Sequence, residues 1–158
     1  MSKSRVTRLV SGADRVVLDQ LTGDLLEQAW ADVEPLLRAA CDPVATTMTP
    51  DLIRQREGEG AIMVWAIYRK DRPLPLLGAA ATSIRDTNKG LTSVIEALAG
   101  HDFDSWWRPV LQQFEAMAVE HGIARMEIEG RMGWLRKLGG DFRATRVVME
   151  RDLNAQRR

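Results

Sequence analysis

Five residues between positions 96 and 105 carry side chains suited to chemistry: Glu96, His101, Asp102, Asp104 and Ser105. A carboxylate or an imidazole beside an amine can take its proton, so Glu96 is the first candidate for a general base and His101 the second. The same stretch leads into a long segment of helical apolar spacing. The first turn of a helix offers unpaired amides and a positive dipole end to an anion. Gly100, His101 and Ser105 are the contacts such an anion would find. The two aspartates oppose it, since a carboxylate a few ångströms from a phosphate costs on the order of 1 to 4 kcal/mol, depending on screening by water.

Other constellations are thinner. His101 and His121 stand at opposite ends of one predicted helix, about 30 Å apart at 1.5 Å per residue, so they cannot share a metal and no metal site is expected. Cys41 is the single cysteine, which excludes an internal disulfide and fits a reducing compartment. Arg125, Arg131, Arg136, Lys137, Arg143 and Arg146 form a basic stretch near the C-terminus, interleaved with Glu127, Glu129 and Asp141. Nucleic acid is one partner for it and an acidic protein another, with a solvated charged face as the plain alternative. Trp107 adjoins Trp106, and when one faces the core the other points outward, where an exposed tryptophan anchors partners. Trp107, Arg131, Arg136 and Lys137 are therefore the candidate partner-binding residues.

The elements that must position these groups follow from spacing. In 158 residues, 22 basic side chains balance 22 acidic ones, enough chain for one core and no global field for nucleic acid or anionic lipid. One domain over 1–153 with a frayed tail at 154–158 is expected. Of Val6 to Val10 and Val16 to Leu18, one or both read as strands. Leu25 to Leu37 forms a helical stripe that Pro35 should kink or break, and Thr49-Pro50 starts a second helix ending near Gly58 or Gly60. Ala61 to Tyr68, Leu76 to Ile84 and Leu91 to Leu98 read as strands, with Arg85 to Gly90 as a polar loop. Trp106, Val110, Phe114 and Met117 share one face of the longest helix, closed by Gly122. Ala124 to Glu129 alternates as a half-buried strand, Trp134 to Leu138 makes a helical turn before Gly139-Gly140, and Phe142 to Met149 reads as the last strand.

This order resembles the GNAT N-acetyltransferase fold. The most specific local match is Gly130-Arg131-Met132-Gly133-Trp134-Leu135-Arg136-Lys137-Leu138-Gly139-Gly140-Asp141-Phe142-Arg143, which looks like the family's short helix and the turn before its closing strands. The resemblance implies an α/β fold with a mixed, largely antiparallel sheet and helices on both faces. It also implies an acyl-CoA held by a loop of the form Arg/Gln-x-x-Gly-x-Gly/Ala at the start of the long helix. Here that loop is Ala97 to Ser105, with one glycine, no leading Arg or Gln, and two aspartates. A tyrosine acid is implied near the short helix, where this chain has Trp134; its only tyrosine is Tyr68.

The expectation drawn from this departure is a GNAT-like protein without acetyltransferase activity and without a cofactor, acting as a macromolecule-binding module. The Gly-Arg-x-Gly-Trp segment resembles small GNAT-like proteins of phage and prophage, which implies a virion or assembly role, with virion proteins or a second copy as partner. The alternative is an acyl-CoA-dependent N-acyltransferase that uses acetyl-CoA, with Glu96 as base. No secretion signal or membrane segment of the required length is read in the sequence, so a soluble protein of the cytoplasm or a virion is expected.

Overall fold

The computed structural model describes residues 7–10, 16–41, 48–130, 133–145 and 151. Among them, six strands lie side by side in sequence order: β1 (Thr7–Val10), β2 (Val16–Leu21), β3 (Met63–Arg69), β4 (Gly78–Thr87), β5 (Gly90–Gly100) and β6 (Arg125–Ile128). The helices are α1 (Asp24–Cys41), α2 (Pro50–Gly58), α3 (Phe103–Glu120) and α4 (Gly133–Leu138). Every strand pair is antiparallel except β5 with β6. That pair is parallel because α3 carries the chain back along the sheet before β6 begins, as a parallel connection requires.

Helices cover both faces, and the strands alternate accordingly. Val64, Ala66, Ala79 and Ala81 pack with Leu26, Val33 and Leu37 of α1 and Ile53 of α2. Trp65, Ile67, Ala80 and Ile95 pack with Trp106, Val110 and Phe114 of α3. A strand buried on both sides reads as a continuous apolar run, which is why Met63 to Tyr68 shows no polar alternation. Each large aliphatic side chain buried this way contributes roughly 1.5 to 3 kcal/mol.

Local signals hold where the chemistry is local. Thr49 caps α2, accepting from the Leu52 amide at 3.2 Å, with Pro50 at the first helical position. Gly122 follows α3 at φ 70°, the left-handed conformation a glycine adopts freely.

Three expectations change. Pro35 does not break α1, which runs from Asp24 to Cys41; Val33, Leu36 and Leu37 beside it are buried, and their burial offsets the lost backbone bond. Arg85 to Gly90 is not a loop, because β4 continues to Thr87 and β5 begins at Gly90. The Thr87 hydroxyl donates to the Gly90 carbonyl at 2.9 Å and Arg85 pairs with two carboxylates, so the polar run is satisfied within the ladder. Residues 142–145 are not in a strand; the rest of the expected last strand, and the tail at 154–158, lie outside the described residues.

Candidate functional site

The parallel ladder between β5 and β6 is short. It pairs Thr92 with Arg125 through Ile95 with Ile128, and its last rung is the Glu129 amide donating to the Ile95 carbonyl at 3.0 Å. Beyond it β5 continues to Gly100 with no partner strand on that side among the described residues. The parting coincides with a bulge: Ala81 faces Ala97 but Thr82 faces Ile95, leaving Glu96 as the extra residue. A bulge bends the strand that carries it.

A cleft of about 340 Å³ opens where the strands part. Ala39 and Ala40 of α1 line it from one face of the sheet, and Phe103, Trp134 and Lys137 line it from the other. It therefore passes through the plane of the sheet. The β5 wall runs from Ile95 to Gly100, a length of about 17 Å at strand rise. The His101 amide donates to the Leu77 carbonyl at 2.7 Å, and bonding directions alternate along an antiparallel ladder. The N–H and C=O groups of Leu98 and Gly100 consequently point away from β4 and toward the cleft.

At the mouth, the start of α3 is acidic and cross-braced. Asp102 precedes the helix at φ 51°, ψ 42° and does not cap it with its side chain; aspartate is among the residues that tolerate this conformation. Its carboxylate accepts from the Ser105 hydroxyl at 2.9 Å and pairs with Arg69 at 3.7 Å. Asp104 pairs with Lys137, whose ammonium also lies 5.6 Å from the Phe103 ring centroid. The sequence shows two carboxylates at this helix start; the fold adds two cations from distant positions and leaves the charge locally balanced.

Behind the cleft wall lies an ionic network. Ser83 and Arg85 alternate with Thr82 and Ile84 and so share the face of Ala81, on the α1 side. Glu96 accepts from the Ser83 hydroxyl at 2.8 Å and from Arg85, and Arg85 Nη1 donates to Glu129 Oε1 at 2.8 Å. Among the described residues, Glu96 Oε2 is buried with no hydrogen-bond partner. Partial burial pulls the Arg85 pKa down, but the hydrogen bonds and charges of Glu96 and Glu129 outweigh it, and Arg85 is held above its ordinary value.

The candidates of the sequence reading are distributed as follows. Glu96 does not line the cleft; its side chain is 3% exposed and held by Ser83 and Arg85. His101 has an exposed side chain and serves through its main chain, the carbonyl accepting from Trp106 Nε1 at 2.7 Å. Ser105 turns its hydroxyl onto Asp102. Gly100 lines the cleft, but its lack of a side chain is required on the other side: a Cβ there would meet the Leu77 carbonyl at 2.1 Å and Trp106 at 2.7 Å. Trp107 is buried rather than an exposed anchor, because Phe103 stacks on it, Trp134 meets its edge and Arg108 lies over its ring. Lys137 is committed to Asp104, Arg136 is exposed, and Arg131 lies outside the described residues. Glu129, which the sequence reading placed only among interleaved acids, lines the cleft. Among the described residues no cluster fit to hold a metal occurs, and no helix is long and apolar enough to cross a membrane.

No family model matches the chain, and no curated protein matches it in sequence. Solved structures do match. An aminoglycoside 6'-N-acetyltransferase from Acinetobacter baumannii superimposes with a TM-score of 0.62 at 13% identity, over 87% of this chain and 97% of that one. An acetyltransferase from Clostridium acetobutylicum, solved with acetyl-CoA, gives 0.59 at 11% identity over 89% and 97%. A ribosomal-protein-alanine N-acetyltransferase from Brucella melitensis gives 0.57 at 12% identity over 87% and 98%. The fold is that of the GNAT acetyltransferases. The expectation of no cofactor is corrected by these neighbours, one of them bound to acetyl-CoA, which point to a CoA-type ligand rather than none. Arg69 and Lys137 balance the two aspartates on which that expectation rested. A virion role gains no support from them.

Proposed function

We propose that the chain is an acyl-CoA-dependent N-acyltransferase with the acyl-pantetheine arm in the cleft between β5 and β6. One observation carries this reading: the parallel pair parts after the Glu129 to Ile95 rung and, among the described residues, leaves a strand edge open onto a through-sheet cleft. An extended arm that bears amides, as pantetheine does, can add to a free strand edge by main-chain hydrogen bonds. Leu98 and Gly100 would hold it there. Ile95, Ile128 and Trp134 supply apolar contact, and the first-turn amides of α3, with Lys137 and Arg69 close by, would meet the phosphates. The fit is therefore good despite the two aspartates.

When bound, the thioester supplies an acyl carbon activated toward an amine. The chain's part is to fix that carbon near the Glu96 bulge, exclude water with Trp134 and Phe103, and admit an acceptor from the α1 face. Amine acceptors are the class named for the aminoglycoside and ribosomal-protein neighbours.

Thermal melting with acetyl-CoA tests the reading. Ligand at a hundredfold excess over Kd stabilises by about 2.7 kcal/mol, which raises Tm by roughly 5 to 10 °C for a chain of this size. An unchanged Tm at millimolar acetyl-CoA contradicts it.

A further inference from the structure

Resting on the reading of the cleft as an acyl-CoA site, we propose that Glu129 receives the acceptor amine, as an ammonium group, and that Arg85 is the residue that positions it. Glu129 directly follows β6, and its amide forms the last rung of the parallel ladder. Its side chain lines the cleft and is 33% exposed, so it stands at the apex where the two strands part. Apolar Ala39 and Ala40 of α1 line the cleft on the same face of the sheet. A carboxylate with part of its water removed by such walls attracts a cation more strongly than one in bulk solvent, and a charge-assisted N–H to oxygen bond gives that attraction direction.

The carboxylate is not left to wander. Arg85 Nη1 holds Glu129 Oε1 at 2.8 Å while Nη2 of the same guanidinium holds Glu96. Glu96 is fixed in turn by Ser83. The fork of the guanidinium thus ties a buried carboxylate, which no acceptor can reach, to a cleft-lining one that an acceptor can. Both arms lie on the α1 face, opposite the Phe103 and Lys137 mouth. Glu96 acts through Arg85 on Glu129, and the acceptor class is a cationic amine arriving from the α1 face.

Two thioether analogues of acetyl-CoA test this, each extended through an amide by a four-carbon chain, one ending in a primary ammonium and the other in a methyl group. Calorimetric titration of the full chain should give the ammonium analogue at least a tenfold lower Kd. Glu129→Gln should bring the ratio of the two affinities to within threefold of unity. Arg85→Lys keeps the charge but cannot span both carboxylates, and should give an intermediate ratio. A merely structural loss weakens both analogues together and leaves the ratio where it was. A ratio near one in the unaltered chain, or a tenfold ratio surviving Glu129→Gln, overturns the proposal. Acetyl-CoA titrated alongside separates the two levels: if it binds and no ammonium preference appears, only the role of Glu129 fails, whereas no binding of acetyl-CoA or either analogue removes the acyl-CoA site itself.

Discussion

Arg85 and Glu129 are 44 positions apart in sequence and 2.8 Å apart in space. Their pair joins the outer half of β4 to the residue that ends β6, at the point where the sheet opens. Because Arg85 also binds Glu96, its loss would strand a carboxylate whose side chain is 3% exposed. Breaking a fully buried pair costs about 3 to 5 kcal/mol; with Arg85 itself 35% exposed, screening lowers the expectation for Arg85→Ala to about 2 to 3 kcal/mol. Urea denaturation measures it. Arg85→Ala combined with Glu96→Gln should recover part of the loss, and full additivity of the two losses would show that they are not coupled.

The pH dependence of that pair has a definite sign. The pKa of Arg85 is raised above its ordinary value, so its contribution is fully present below the unfolded-state value and is lost only as pH rises through the folded one. Both lie above any working pH. Denaturation of the unaltered chain and of Arg85→Lys should therefore differ by a constant amount between about pH 6 and pH 9, because the guanidinium stays charged throughout that range; a difference that grows or shrinks across it contradicts the assignment.

At the junction of β4, β5 and α3, Gly100 and Gly78 permit a close approach. A Cβ at Gly100 would lie 2.1 Å from the Leu77 carbonyl, and one at Gly78 would lie 2.7 Å from the Trp106 ring. Gly100→Ala collides with backbone, which cannot move aside as a side-chain tip can. Overpacking of this kind costs about 1 to 3 kcal/mol, and Gly100→Ala should fall at or beyond the upper end by denaturant titration. A neutral result would mean that the strands are spaced more widely than described.

The Asp104 and Lys137 pair separates stability from binding. Both side chains are substantially exposed, 80% and 40%, and such pairs add at most about 1 kcal/mol to folding. Asp104→Asn should leave Tm nearly unchanged while freeing Lys137 for a phosphate and removing a negative charge, so acetyl-CoA should bind several-fold tighter. Lys137→Ala should bind it several-fold more weakly. Equal affinities in both variants would place the phosphates elsewhere.

Much of the scaffold was legible from local chemistry. The Thr49-Pro50 start of α2, the Gly122 close of α3 and the alternation through Met126 and Ile128 each depend on residues within a turn or two, and each appears where expected. What failed depends on partners far along the chain. Trp107 looks exposed next to Trp106 until Trp134, from another helix, covers it. Asp102 and Asp104 look repulsive until Arg69 and Lys137 arrive. Glu96 carries the right functional group but sits at a bulge whose side chain is spent on Ser83 and Arg85, while Glu129 reaches the cleft because β6 ends there. Periodicity reports which face a residue takes on its own element; it does not report which remote element covers that face.

Calorimetric titration of acetyl-CoA into the unaltered chain and into Ala40→Trp tests the central claim most directly. Ala40 lines the cleft from a partly exposed position on α1, where a larger side chain can fill the channel without entering the sheet. A saturable one-to-one heat in the unaltered chain, weakened tenfold or more in Ala40→Trp at unchanged Tm, is the predicted result. No saturable heat up to millimolar ligand, or equal binding by the plugged variant, would contradict an acyl-CoA site between β5 and β6.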